Sequence, residues 1–291
     1  MAKPWSPIGF TLDLEKGIIM SYIDDNKLAW EEAFENRYPG WGEGVADKLA
    51  NQYLPFFSED MADELKALNL QGKTIAQFAC NNGRELLSAM QLGPEYGYGF
   101  DIAENFLNQG REIAEKIGRK NVEFVAGNLL DIDKKYNNTF DLIFFTIGAI
   151  PWFENLCDLF SVVLRCLKPG GKLLIQDFHP FVDMLLMPGE EGYDPLNKLK
   201  MGYSYFRSEP WIENKGMGYI SPQYQSKTFT SFTHTLSAII NSLIKSGITI
   251  RKFNEYDYDL GMIDELDGKG FPLSFILMAE KPSSEGDLLP S

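Results

Sequence analysis

Between residues 74 and 177 short apolar runs alternate with longer segments of helical periodicity, and this alternation constrains the fold more than any other feature. The segments 74–80, 96–101, 122–126, 140–146 and 172–177 read as strands, with helices expected at about 84–92, 103–117 and 156–167. The run Phe140-Asp141-Leu142-Ile143-Phe144-Phe145-Thr146 is almost wholly apolar, as a strand covered on both faces must be. Repeated strand–helix units of this kind build a parallel sheet with helices on both sides. A further helix at 234–246, stopped by Gly247, and strands at 248–255 and 273–280 continue the pattern.

Two regions lie outside that scaffold of 71–280. Residues 1–70 read as a helical extension or lid, with helices expected near 27–36 and 59–68 and aromatics between them (Trp30, Phe34, Tyr38, Trp41, Tyr53). The stretch 181–232 is an insertion rich in Tyr, Phe, Trp and Gly, and one so long in a compact domain reads as a cap or specificity element. Residues 281–291 are polar and acidic, which predicts a disordered tail.

Composition bounds the partners. The net charge of −14 and the lack of a Lys/Arg cluster argue against a nucleic-acid partner, whose phosphates need a basic patch to displace counterions. A small-molecule substrate is expected instead. No apolar run approaches the roughly 18 residues of a membrane span, and MAKPWSPIGF lacks the basic and apolar regions of a signal peptide, so no membrane partner is expected. Cys80, Cys157 and Cys166 sit in separate apolar contexts without metal-ligand spacing. They predict reduced thiols in a cytoplasmic protein and no metal site. The oligomeric state stays open.

The turns after the strands carry the chemistry. Ala79-Cys80-Asn81-Asn82-Gly83-Arg84 follows the first strand, and Asp101 closes the second in Gly97-Tyr98-Gly99-Phe100-Asp101. Asn128-Leu129 follows the third and Thr146-Ile147-Gly148 the fourth, while Lys168-Pro169-Gly170-Gly171 leads into the fifth. Over residues 73–180 this succession resembles the core of class I S-adenosylmethionine-dependent methyltransferases. The resemblance implies a Rossmann-like fold: a doubly wound, seven-stranded, mostly parallel sheet whose last strand inserts antiparallel beside the fifth. It also implies S-adenosylmethionine as cofactor and methyl transfer to a small-molecule N or O nucleophile.

On that resemblance the first loop stands where the family has its glycine-rich turn, but only Gly83 remains; Ala79 and Asn81 occupy usual glycine positions. Asn tolerates left-handed geometry, so Asn81 could hold a tight turn. Gln77 replaces an acidic residue and would offer the cofactor ammonium a neutral acceptor, and Arg84 could meet its carboxylate. Asp101 would accept from both ribose hydroxyls, by the logic that places an acid after a dinucleotide loop. Ile102 would pack on adenine, Asn128 would accept from its amine, and the Leu129 N–H would serve a ring nitrogen. Thr146 and Ile147 would floor the transferred methyl. Each has a structural alternative: Asp101 as a helix cap, Asn128 as a turn residue, Arg84 as an exposed helix start.

Methyl transfer is an in-line displacement in which the protein chiefly aligns donor and acceptor, so a base is needed only if the acceptor must first lose a proton. His179 and His234 are the candidates, with Asp177 a weaker one. Tyr203, Tyr205, Trp211, Tyr219 and Tyr224 would wall the acceptor pocket or else form the insertion's own core. Trimming residues 190–225 is expected to abolish acceptor use while leaving cofactor affinity nearly intact. Two rivals remain. A nicotinamide-dependent oxidoreductase would want G-x-G-x-x-G, which Cys80-Asn81-Asn82-Gly83 does not supply. A non-catalytic cofactor-binding regulator would share the fold.

Overall fold

The computed structural model describes residues 10–13 and 18–283, with side chains from Ser21 onward. Strands β1 (Phe10–Asp13) and β2 (Ile18–Ser21) form an antiparallel ribbon leading into α1 (Tyr22–Glu35). Helix α1 starts five residues before the expected 27, because Ser21 and Asp24 form a capping box: the Ser21 hydroxyl accepts from the Asp24 N–H and the Asp24 carboxylate accepts from the Ser21 N–H, both at 3.3 Å. Helix α2 (Val45–Asn51) is a further short helix that the sequence reading passed over, and α3 (Glu59–Ala67) is capped by Ser58.

Next come β3 (Thr74–Phe78), α4 (Arg84–Ala89), β4 (Tyr96–Asp101), α5 (Glu104–Lys116), β5 (Val122–Ala126), β6 (Phe140–Phe145), α6 (Leu156–Cys166) and β7 (Leu167–Phe178). The helix expected over 84–92 gives way after Ala89 to a 3-10 turn, Met90–Leu92. The insertion holds the antiparallel pair β8 (Trp211–Glu213) and β9 (Phe229–Ser231). Helix α7 (Leu236–Lys245), β10 (Thr249–Tyr256) and β11 (Ser274–Glu280) complete the order. The expected disordered tail lies largely outside the described residues.

The seven-stranded sheet runs β10-β11-β7-β6-β3-β4-β5. Strands β3 to β7 pair in parallel, and β11 inserts antiparallel between β7 and β10. Successive residues of a strand point to opposite faces, so the apolar runs divide between two cores. Ile143, Phe145, Leu173, Ile175, Phe275 and Leu277 pack under α6 and α7. Leu142, Phe144, Leu174 and Ile276 pack with residues of α2 to α5. Burial on both faces is why FDLIFF could be read so directly. The order reverses between β3 and β6, where a parallel sheet opens a crevice at its carboxyl edge. Among the described residues no helix is long and apolar enough to cross a membrane, and no group of three or more His, Cys, Asp or Glu is placed to hold a metal ion.

Candidate active site

The main cleft lies over that carboxyl edge. Its floor is Ala79 and Asn81 after β3, Asp101 and Ile102 at the end of β4, Gly127 to Leu129 after β5, and Ile147 to Ala149 after β6. Ile23, Asn26 and Trp30 of α1 line it as well, with Tyr219 of the insertion. The turn after β3 is left-handed at three residues: φ is 53° at Ala79, 52° at Asn81 and 67° at Gly83. Two of these are not glycine, so the backbone keeps the shape of a glycine-rich turn without its usual residues. Asn81 supports its position by accepting from the Asn82 N–H at 2.8 Å. Gly83 has a different reason to persist. A Cβ there would lie 2.3 Å from Cε1 of Phe124, whose ring also crowds Gly99 and Gly110.

Asp101 is the only charged side chain lining the cleft among the described residues. Its Oδ2 accepts from the Asn81 N–H at 2.7 Å and its Oδ1 from the Ala103 N–H at 3.0 Å. Burial lifts its carboxyl above the ordinary aspartate value, and the backbone N–H groups of Ala103, Asn81 and Ile102 pull it back. A carboxylate has about four lone-pair sites, so acceptor capacity for a diol remains after these two bonds. A Cβ on Gly127 or Gly148 would meet no heavy atom within 4 Å. The cleft thus holds open space beside a half-buried carboxylate, flanked by the apolar Ile102 and the Asn128-Leu129 turn.

Several predicted contacts go elsewhere. Gln77 is 1% exposed and fully engaged: its amide donates to Thr146 Oγ1 at 2.9 Å and accepts from the Leu86 N–H at 2.9 Å. Gln77 and Thr146 therefore brace β3 against the turn after β6 and do not line the cleft. Arg84 pairs with Glu85 at 2.7 Å and also stays out of the lining, as does Gly83. Asn128 lines the cleft, but its side chain serves its own turn, accepting from the Leu130 N–H at 3.0 Å and donating to Asp131 at 2.8 Å. Leu129 begins that 3-10 turn; its carbonyl accepts from the Ile132 N–H at 3.4 Å, while its N–H has no partner within the turn.

Both histidines lie outside the cleft lining. His179 accepts at Nδ1 from the Phe181 N–H at 3.0 Å, and its Nε2 meets Glu255 of β10 at 2.9 Å. Burial lowers its pKa, opposed by Glu255. His234 donates from Nε2 to the Phe153 carbonyl at 2.8 Å, and burial lowers its pKa too. It lines a smaller cavity, with Asp177 and Asp183, behind the loop that floors the cleft. The aromatics divide likewise. Tyr203 stacks edge-on against Trp211 at 4.5 Å, Trp211 donates to Thr233, and Tyr205 accepts from the α7 Leu236 N–H. Tyr203 and Trp211 thus pack on each other within the insertion, Trp211 and Tyr205 tie it to Thr233 and α7, and Tyr219 alone of the five named aromatics lines the cleft.

The sequence reading missed the roof. Trp30 packs edge-on against Trp152, Phe229 and Phe106 at 5.0, 5.3 and 6.0 Å. Asn26 and Thr230 exchange two buried hydrogen bonds, at 2.8 Å to the Thr230 carbonyl and 2.7 Å from its N–H. Glu31 caps α5 from outside by accepting from the Glu104 N–H at 2.9 Å. An available signal was the buried stripe Asn26, Ala29, Ala33 on α1 with Trp30 beside it.

Asp177, at the end of β7, holds the floor loop. It accepts from the N–H groups of Gly148 at 2.6 Å, Phe178 at 2.8 Å and Ile150 at 3.3 Å. Burial pushes it up to about 6, and burial with the neighbouring Asp177 charge pushes Asp183 up to about 6. Because the folded state keeps the Asp177 proton longer than the unfolded chain, stability falls as pH rises from about 4 to 6. At about 1.36 kcal/mol per pK unit the loss is about 3 kcal/mol, complete above pH 6. Asp177→Asn is expected to flatten that part of the profile in denaturant titrations at successive pH values; an unchanged slope would remove Asp177 as its source.

The strand order, with its cleft at the reversal and a carboxylate after β4, is a Rossmann-like fold of the kind that S-adenosylmethionine-dependent methyltransferases have. Residues 70–198 match the family model described as a methyltransferase domain. The chain is 26% identical over 155 residues to a tRNA U34 carboxymethyltransferase of Helicobacter acinonychis, covering 52% of this chain and 58% of that one. It is 33% identical over 111 residues to a ribosomal protein L11 methyltransferase of Photobacterium profundum, covering 38% of this chain and 35% of the relative. It thus spans only part of the length of either relative. A solved S-adenosylmethionine-dependent methyltransferase of Clostridium acetobutylicum has the same fold, with a TM-score of 0.56 at 14% identity over 82% of this chain and 97% of that one.

Proposed function

We propose that the chain transfers a methyl group from S-adenosylmethionine to a small-molecule N or O nucleophile by in-line displacement. The observation that carries the reading is the cleft lining, in which Asp101 is the sole charged side chain among the described residues and the roof is aromatic and aliphatic apart from Asn26. A lining with no Lys or Arg offers nothing to a phosphate backbone, and the net charge of −14 points the same way. When bound, the cofactor supplies a methyl group on a sulfonium. Asp101 would hold the ribose, Ile102 and the Leu129 N–H the adenine, and Ala79 and Asn81 the amino-acid tail. Ile147, Trp152 and Trp30 would exclude water and orient the acceptor. With both histidines outside the cleft, the acceptor would enter as a neutral amine or an already ionised oxygen. Three thiols without disulfides suit a cytoplasmic setting.

The same absence of a base in the cleft favours, as a second reading, a cofactor-binding regulator without turnover. Calorimetric titration with S-adenosylhomocysteine, followed by methyl-transfer assays on small amines and phenols, on tRNA and on ribosomal protein, separates these. Micromolar binding with turnover on a small acceptor is expected. Turnover on tRNA or protein alone would overturn the acceptor class, binding with no turnover would favour the regulator, and no binding would sink both readings.

A further inference from the structure

The insertion was expected to serve the acceptor alone, but one of its turns is fixed to the cofactor side. The Met217 carbonyl accepts from the N–H groups of Ile220 at 2.8 Å and Ser221 at 2.9 Å, closing a tight turn. Ile220 is fully buried against Ala103 and Phe106, directly behind Asp101, and its carbonyl accepts from the Tyr38 N–H at 2.8 Å. Tyr219 is thereby held over the cleft beside Asn81 and Asp101. The charges acting on its phenol are those of Arg84, Asp101 and Glu85, all at the first loop and the end of β4. Its hydroxyl makes no hydrogen bond to the described residues, and the residue is 59% exposed, so the fold does not use that group.

With the adenine at Ile102 and the Leu129 N–H and the ribose at Asp101, as in the reading above, the base lies over the end of β5 and the sugar over that of β4, which leaves the tail to Ala79 and Asn81 after β3, where Tyr219 also lines the cleft. Resting on the cofactor reading above, we propose that Tyr219 is a cofactor-positioning residue. Its phenol donates a hydrogen bond to the carboxylate of the amino-acid tail. A donor without a partner is suited to an anion, and a phenol–carboxylate bond is of the stronger, charge-assisted kind. The cap then reports on the cofactor's tail as well as on the acceptor, so trimming it removes both functions.

The test compares two probes, S-adenosylmethionine and its decarboxylated form, which differ only by that carboxylate. Calorimetry on Tyr219→Phe is expected to give about a tenfold weaker Kd for S-adenosylmethionine, about 1.4 kcal/mol, and less than about a twofold change for the decarboxylated form. An unchanged thermal midpoint is expected alongside, since the hydroxyl has no bond within the fold. Equal weakening of both probes, or of neither, overturns the proposal while leaving the cofactor reading intact. Failure of the wild-type chain to bind either probe overturns both.

Discussion

Asp101→Asn is expected to weaken S-adenosylhomocysteine binding about a hundredfold while barely changing stability. The carboxylate would lose two bonds to ribose hydroxyls, and bonds to a charged group are each worth about 1.5–3 kcal/mol, so a loss of about 3 kcal/mol is reasonable. Stability responds differently. Burial already penalises the charge, as the raised carboxyl shows, so neutralising it relieves a penalty even as the new amide turns a donor toward the N–H of Asn81 or Ala103. The two effects oppose each other to within about 1 kcal/mol. The asymmetry is the signature, read by calorimetry for binding and thermal unfolding for stability. A Kd within threefold of wild type would remove Asp101 from the sugar site.

Gly83→Ala should act in the opposite sense, on the fold first. A left-handed residue with a side chain costs about 1–2 kcal/mol, and the new Cβ would sit 2.3 Å from a Phe124 ring that is itself 6% exposed. Overpacking of this sort costs about 1–3 kcal/mol. The sum, about 3 kcal/mol, corresponds to a thermal midpoint lowered on the order of 5–10 °C. The double variant Gly83→Ala, Phe124→Leu should recover part of the loss, since residues in contact do not behave additively. A single-variant loss below about 1 kcal/mol, or strict additivity, would mean that the ring does not dictate this position.

The sheet was legible because its residues obey simple periods. FDLIFF, the Lys168-Pro169-Gly170-Gly171 turn and the helix stops placed each strand of the sheet to within a few residues, except that β7 begins at Leu167, five residues before the expected start. The floor was legible for a related reason: a residue that ends a parallel strand is carried to the cleft by topology, so Asp101, Ile102, Leu129 and Ile147 needed only the strand ends. What failed was side-chain direction. Gln77 and Thr146 stand at the right edge, yet they spend their polar atoms on each other and on Leu86, because a buried amide must be satisfied locally. His179 ends in a bond to Glu255, a residue 76 positions away that no local pattern joins to it. The roof was illegible for the same reason, since Asn26 becomes a cleft residue only through its partner in the insertion.

That pairing has a consequence for how the molecule comes together. The bond between Asn26 and Thr230 closes a loop of 204 residues, and between its ends lie all five strands that form the parallel floor. Closing so long a loop is entropically unfavourable until the intervening sheet has brought its ends close. A chain ending at residue 200 would keep the contacts of α1 with α5 but would lack the strand that satisfies Asn26, leaving that side of the trough unlatched.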